Sequence, residues 1–102
     1  MEKQFCKIAS LIELPAGRAK AYQVNDKTIA LFNVEGQFYA IDDACPHRGA
    51  SLAESITKNG KVFCNWHLFD FDLKTGACGA IPDFPVQTYE VKIEGEEIFV
   101  LC

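Results

Sequence analysis

Apolar residues along this chain recur mostly at every second position, in short runs separated by turn-forming residues. That period predicts strands rather than helices. Residues 5–9 alternate and predict a first strand, and Leu14-Pro15-Ala16-Gly17 reads as a turn. Residues 21–24 and 28–34 predict two further strands, separated by Asn25-Asp26-Lys27. Glu35-Gly36 supplies a tight turn into residues 37–42, so 28–42 reads as a hairpin. Near the end, residues 89–93 and 97–101 flank Gly95 as a second hairpin. Tyr89, Val91 and Ile93 fall on one face of that strand, with Glu90 and Lys92 on the other. No long amphipathic helix is visible, and Ser51 to Ser55 predicts no more than a turn.

The middle of the chain, approximately residues 43–86, breaks this rhythm. It holds the turn signals Asn59-Gly60 and Thr75-Gly76, the loop Ile81-Pro82-Asp83-Phe84-Pro85 and one short strand over residues 61–64. The expectation is an all-β fold: a small β-sandwich or barrel base with a lobe inserted between its strands. At 102 residues, the chain fits a single domain over 1–102. Hydrophobic residues make up 49% of it, enough for a packed core, although a domain this small benefits from a metal centre.

A formal net charge of −4 argues against a nucleic-acid surface, which would be basic. No apolar run reaches the roughly eighteen residues of a membrane span. Met1-Glu2-Lys3-Gln4 lacks the charged-then-apolar pattern of a signal peptide, so the protein is read as cytoplasmic. In a reducing compartment, five cysteines do not predict a disulfide framework.

The candidate chemistry lies in the inserted lobe. Cys45-Pro46-His47 and Cys64-Asn65-Trp66-His67 each pair a thiol with an imidazole. They contain both histidines of the chain. Soft sulfur and borderline nitrogen together bind iron or zinc. Ligand count alone leaves a structural zinc site with two cysteines and two histidines as a rival. The other cysteines, Cys6, Cys78 and Cys102, read as small hydrophobes or surface thiols. The acidic groups Asp42-Asp43, Asp70, Asp72 and Glu94-Glu96-Glu97 read as solvated turn residues, with partner docking as the alternative.

The surroundings of these two runs are similar to the Rieske ferredoxins. Cys45-Pro46-His47-Arg48-Gly49-Ala50-Ser51-Leu52 resembles the first cluster loop of that family. Cys64-Asn65-Trp66-His67-Leu68-Phe69-Asp70-Phe71-Asp72, followed by Thr75-Gly76 and the Pro82/Pro85 loop, resembles the second. Phe38-Tyr39-Ala40-Ile41 and Tyr89-Glu90-Val91 match the flanks, so the likeness spans roughly positions 5 to 101. Family members often carry Pro and Gly where this chain has Asn65 and Leu68; neither position is a ligand.

The resemblance implies one 2Fe–2S cluster, with Cys45 and Cys64 on the inner iron and His47 and His67 on the outer one. Neutral imidazoles leave the oxidised cluster uncharged, which raises its potential above that of a four-thiolate cluster. The extra loop cysteines of high-potential relatives are replaced here by Ala50 and Trp66, so their disulfide cannot form. The serine and tyrosine whose hydroxyls favour the reduced state are replaced by Phe69 and Phe71. The implied potential is therefore at the low end, around −150 mV. Trp66 reads either as a shield for the cluster or as ordinary packing.

Function follows from the same resemblance. The leading expectation is a soluble electron carrier, with no catalysis of its own, between a flavoprotein reductase and a terminal oxygenase. The alternative is the small subunit of a larger enzyme such as an assimilatory nitrite reductase. A zinc-stabilised binding module is the remote alternative. A complete oxygenase is excluded, because its catalytic iron needs two further histidines.

Overall fold

The computed structural model describes residues 4–24, 26–44, 51–58, 60–63, 70–78 and 86–102. It is built almost wholly from strands: β1 (Phe5–Ser10), β2 (Ala19–Val24), β3 (Lys27–Val34), β4 (Gln37–Asp42), β5 (Ile56–Lys58), β6 (Lys61–Phe63), β7 (Asp70–Asp72), β8 (Thr88–Tyr89), β9 (Val91–Glu94) and β10 (Glu97–Leu101). Two single-turn 3-10 segments, Leu11–Glu13 and Leu52–Glu54, complete the described elements. The all-β expectation holds.

Three antiparallel sheets result, ordered β1-β10-β9, β2-β3-β4-β8 and β5-β6-β7. The first two form the base. The third belongs to the chain between β4 and β8, where the inserted lobe was expected. The predicted hairpin at Glu35-Gly36 is present, and both turn residues take positive φ, 53° and 90°. That conformation matches the twist of the two strands it joins.

β3 explains how base and lobe are held together. Ile29, Ala30, Leu31 and Phe32 are all buried, so this strand is covered on both faces. Ile29 and Leu31 face one core with Ala9, Leu14, Val24, Ala40, Ile98 and Val100. Ala30 and Phe32 face a second core with Ile41, Leu52, Val62, Phe71, Leu73, Cys78 and Val86. The first core lies between the two base sheets. The second joins the base to the lobe. Period-two alternation along one strand thus feeds two separate hydrophobic layers. Asn33 continues β3 as a buried polar residue. Its Nδ2 donates to Leu14 O at 2.8 Å and its Oδ1 accepts from Gly36 N at 2.9 Å, tying the turn to the loop after β1.

Three expectations need correction. The single strand expected over 89–93 is two strands. Tyr89 pairs with Ala40 in one sheet and Val91 with Val100 in the other, and the chain changes sheet at Glu90. Tyr89 and Val91 still share a core, so the alternation survives the change. Ile93 does not join them; it is 41% exposed on an edge strand. Secondly, β5 and β7 were not foreseen as strands, because three-residue segments are too short to show a period. Thirdly, β1 carries a bulge between Lys7 and Ala9, which turns both Ile8 and Ala9 toward the core and breaks the simple alternation.

Candidate metal centre

The chain leaves β4 at Asp42 and immediately enters the lobe. Asp43 is only 8% exposed, and it organises this entry. Its N–H donates to Thr28 O at 3.0 Å and its carbonyl accepts from Leu52 N at 2.7 Å. Its carboxylate Oδ1 accepts from Ser51 Oγ at 2.8 Å and from Ala53 N at 2.9 Å. Ala44 and Ser51 then form an antiparallel bridge. The segment 45–50, with Cys45 and His47, is thereby bracketed by a fixed pair of backbone positions.

The second segment is bracketed in the same way. β6 and β7 pair with Phe63 opposite Asp70, and the chain between them is 64–69, with Cys64 and His67. Lys61 Nζ lies 3.4 Å from Asp70 Oδ2 beside this pair. Leu52, Val62 and Phe71, the chain neighbours of Ser51, Phe63 and Asp70, are all members of the same core. Both brackets therefore stand on one hydrophobic floor. Below them, Asp72 Oδ1 accepts from Lys74 N at 2.8 Å and Thr75 N at 3.0 Å, forming the Thr75-Gly76 turn. Gly76 (φ 80°) packs so closely that a Cβ there would collide with the Val86 carbonyl oxygen. Val86 N in turn donates to Gly76 O at 2.8 Å.

Cys45, His47, Cys64 and His67 lie outside the described residues, as do Ala50, Asn65, Trp66, Leu68, Phe69, Pro82 and Pro85. Phe71 is described and is fully buried. Cys78 is a small core residue, as expected. Among the acidic residues, Glu94 and Glu96 are exposed beside the Gly95 turn as expected, whereas Asp43 and Asp42 depart from the solvated-turn expectation. Asp43 is buried because its carboxylate replaces missing backbone partners at the lobe entry. Asp42 accepts from the Tyr89 hydroxyl across the β4–β8 pair. Burial, first, and then the Asp42 carboxylate push the Tyr89 pKa above its ordinary value. Glu97 pairs with Lys7 at 3.3 Å, and Glu94 with Lys92 at 3.5 Å. No sequence signal distinguishes Asp43 from the aspartate beside it; the Ser51 partner is eight positions away.

The donor set and the bracketing both suit a cluster held between two loops. A profile of the Rieske [2Fe-2S] domain matches residues 4–100. This chain belongs to the Rieske [2Fe–2S] domain family.

As a Rieske domain, it has one 2Fe–2S cluster as its cofactor, and the zinc alternative falls away. It is 40% identical over 97 residues to the 3-phenylpropionate/cinnamic acid dioxygenase ferredoxin subunit of Escherichia coli (strain K12), covering 93% of this chain and 88% of that protein. Among solved structures it is similar to the ferredoxin of carbazole 1,9a-dioxygenase from Nocardioides aromaticivorans IC177. The TM-score there is 0.88 at 30% identity, covering 96% of this chain and 97% of that one. It also shares the fold of a nitrite reductase small subunit from Mycobacterium tuberculosis. That likeness has a TM-score of 0.89 at 22% identity, covering 98% of this Rieske domain and 96% of the other chain.

Proposed function

We propose that this chain is a one-electron carrier ferredoxin, one domain over 1–102, in which Cys45 and Cys64 hold one iron and His47 and His67 the other. When bound, the cluster supplies reversible one-electron redox chemistry. The observation that carries this reading is the pair of brackets, Ala44–Ser51 and Phe63–Asp70, set on one core with a Cys/His run inside each. Asp43 and Ser51 anchor the chain at the ends of the first segment, and β6 and β7 at the ends of the second. Anchored ends would help keep the ligand geometry similar between oxidation states. Both histidines of the chain lie in these segments, so none remains for a catalytic iron. The protein therefore passes electrons and turns over no substrate alone.

The likeness to dioxygenase ferredoxins, by sequence and by fold, supports a terminal oxygenase as acceptor; the donor in this reading is a flavoprotein reductase. The likeness to a nitrite reductase subunit is one of fold only. In this reading the carrier works in the cytoplasm; among the described residues, no helix is long and apolar enough to cross a membrane.

The test is direct. The purified protein should hold equimolar iron and acid-labile sulfide and give a rhombic EPR signal on reduction. Added to a reductase and an oxygenase, it should restore turnover in proportion to its concentration. His67→Ala should abolish both the signal and the turnover. A normal Rieske signal in that variant would overturn the ligand assignment.

A further inference from the structure

At the rim of the base, the two ends of the described chain meet. Gln4 and Cys102 exchange backbone hydrogen bonds, at 3.3 Å from Gln4 N to Cys102 O and 3.0 Å from Cys102 N to Gln4 O. Cys6 lies opposite Val100, so Cys6 and Cys102 are diagonal neighbours across β1 and β10. Both side chains pack at the rim of the core between the base sheets, half-buried. The Cys6 thiol donates to Gln4 O at 3.6 Å and the Cys102 thiol donates to the same oxygen at 3.7 Å. The two thiols thus gather at one oxygen, and the Cys102 thiol is also hydrogen-bonded to that of Cys6. The Cys6 thiol beside it, ahead of burial, raises the Cys102 pKa above its ordinary value.

Cys102 also lines a surface cavity of about 450 Å³ with Lys27, Asp42, Gln87 and Tyr89. The Asp42 carboxylate there is engaged by the Tyr89 hydroxyl, and Lys27 Nζ sits 5.1 Å from the centre of the Tyr89 ring. The cavity therefore sets the Lys27 cation near the half-buried Cys102 thiol, with the hydrogen-bonded Asp42 carboxylate also in its lining, and Lys27 is the group that an anionic disulfide would meet there.

We propose that Cys6 and Cys102 form a reversible redox site that closes to a disulfide by exchange with a low-molecular-weight anionic disulfide such as glutathione disulfide. One protein thiolate attacks a glutathione sulfur, forming a mixed disulfide and releasing one glutathione. The second protein thiol gives its proton to solvent and displaces the other glutathione. The protein loses two electrons and two protons, and one glutathione disulfide becomes two glutathiones. The bond joins the start of β1 to the end of β10 and leaves the metal lobe, which packs on the other core, untouched. Diagonal neighbours stand roughly 7–8 Å apart at Cα, at or beyond the roughly 7 Å limit for a disulfide, so closure requires backbone movement. The strand ends draw together on closure, and the resulting strained bond belongs to the easily reduced class.

The experiment incubates the cluster-loaded protein with glutathione disulfide, alkylates remaining thiols and maps peptides by mass spectrometry, with the visible spectrum followed throughout. A linked Cys6–Cys102 peptide, reversed by dithiothreitol without loss of the cluster spectrum, is expected. Cys6→Ser should stop at a mixed disulfide on Cys102. Three results overturn the proposal: wild type stopping at stable mixed disulfides, both thiols staying fully alkylatable, or the link mapping to Cys78 or a ligand cysteine. The wild-type map decides alone if the serine variant fails to fold.

Discussion

Asp43 leaves the base sheet with its side chain still inside the protein, where an unpaired carboxylate would be unfavourable, and Ser51 and Ala53 supply the missing donors. Asp43→Ala leaves those buried donors unsatisfied, a loss of about 1–3 kcal/mol. It is expected to lower iron and sulfide retention, and Asp43→Asn, which keeps an acceptor oxygen, should recover most of it; metal content after desalting checks both. Tyr89 gives a second prediction at this scale. Burial and the Asp42 bond raise its folded pKa above the ordinary 10.0. The unfolded chain therefore deprotonates first, and the stability that Tyr89 contributes is full below pH 10.0 and is lost as pH rises toward the folded value. Chemical denaturation on the alkaline side should show this loss, and Tyr89→Phe should remove that part of the pH dependence. Single residues were unequally legible in the sequence. Cysteines and histidines announce themselves by type, whereas Asp43 differs from Asp42 only in where the fold buries it.

Among the elements, the turn at Gly76 is the tightest joint in the lobe. It receives Val86 from the far end of the loop and must keep a left-handed conformation without a Cβ. Gly76→Ala combines backbone strain with a collision against the Val86 carbonyl, so it should destabilise by more than about 1 kcal/mol. Hydrogen exchange should quicken in β6 and β7 before it does in β9 and β10. Elements long enough to show a period, β3, β4 and β10, were legible in the sequence. β5 and β7 were not, because their pairing comes from the lobe floor rather than from a local pattern. The change of sheet at Glu90 was hidden for a related reason: both sheets bury the same face of the chain, so alternation runs through the break unaltered.

Across the described residues, two cores share the strand β3, and Leu52, Val62, Phe71, Leu73, Cys78 and Val86 of the lobe belong to only one of them. The candidate ligand segments stand out in the sequence because their possible donors are rare residue types at short spacing; the core residues Ala30, Phe32 and Ile41 do not, because they look like any strand interior. A fragment cut out as residues 43–86 would keep all four candidate ligands and both brackets but leave behind Ala30, Phe32 and Ile41, the base side of their core. Such a fragment, expressed alone, should fail to hold iron and should precipitate, as sedimentation and metal analysis would show. The remaining base should fare no better, since excision uncovers the opposite side of β3 to water. The lobe is therefore not a portable cassette: to move this electron-transfer centre into another scaffold, a designer must transplant a strand with both its faces, not a pair of loops.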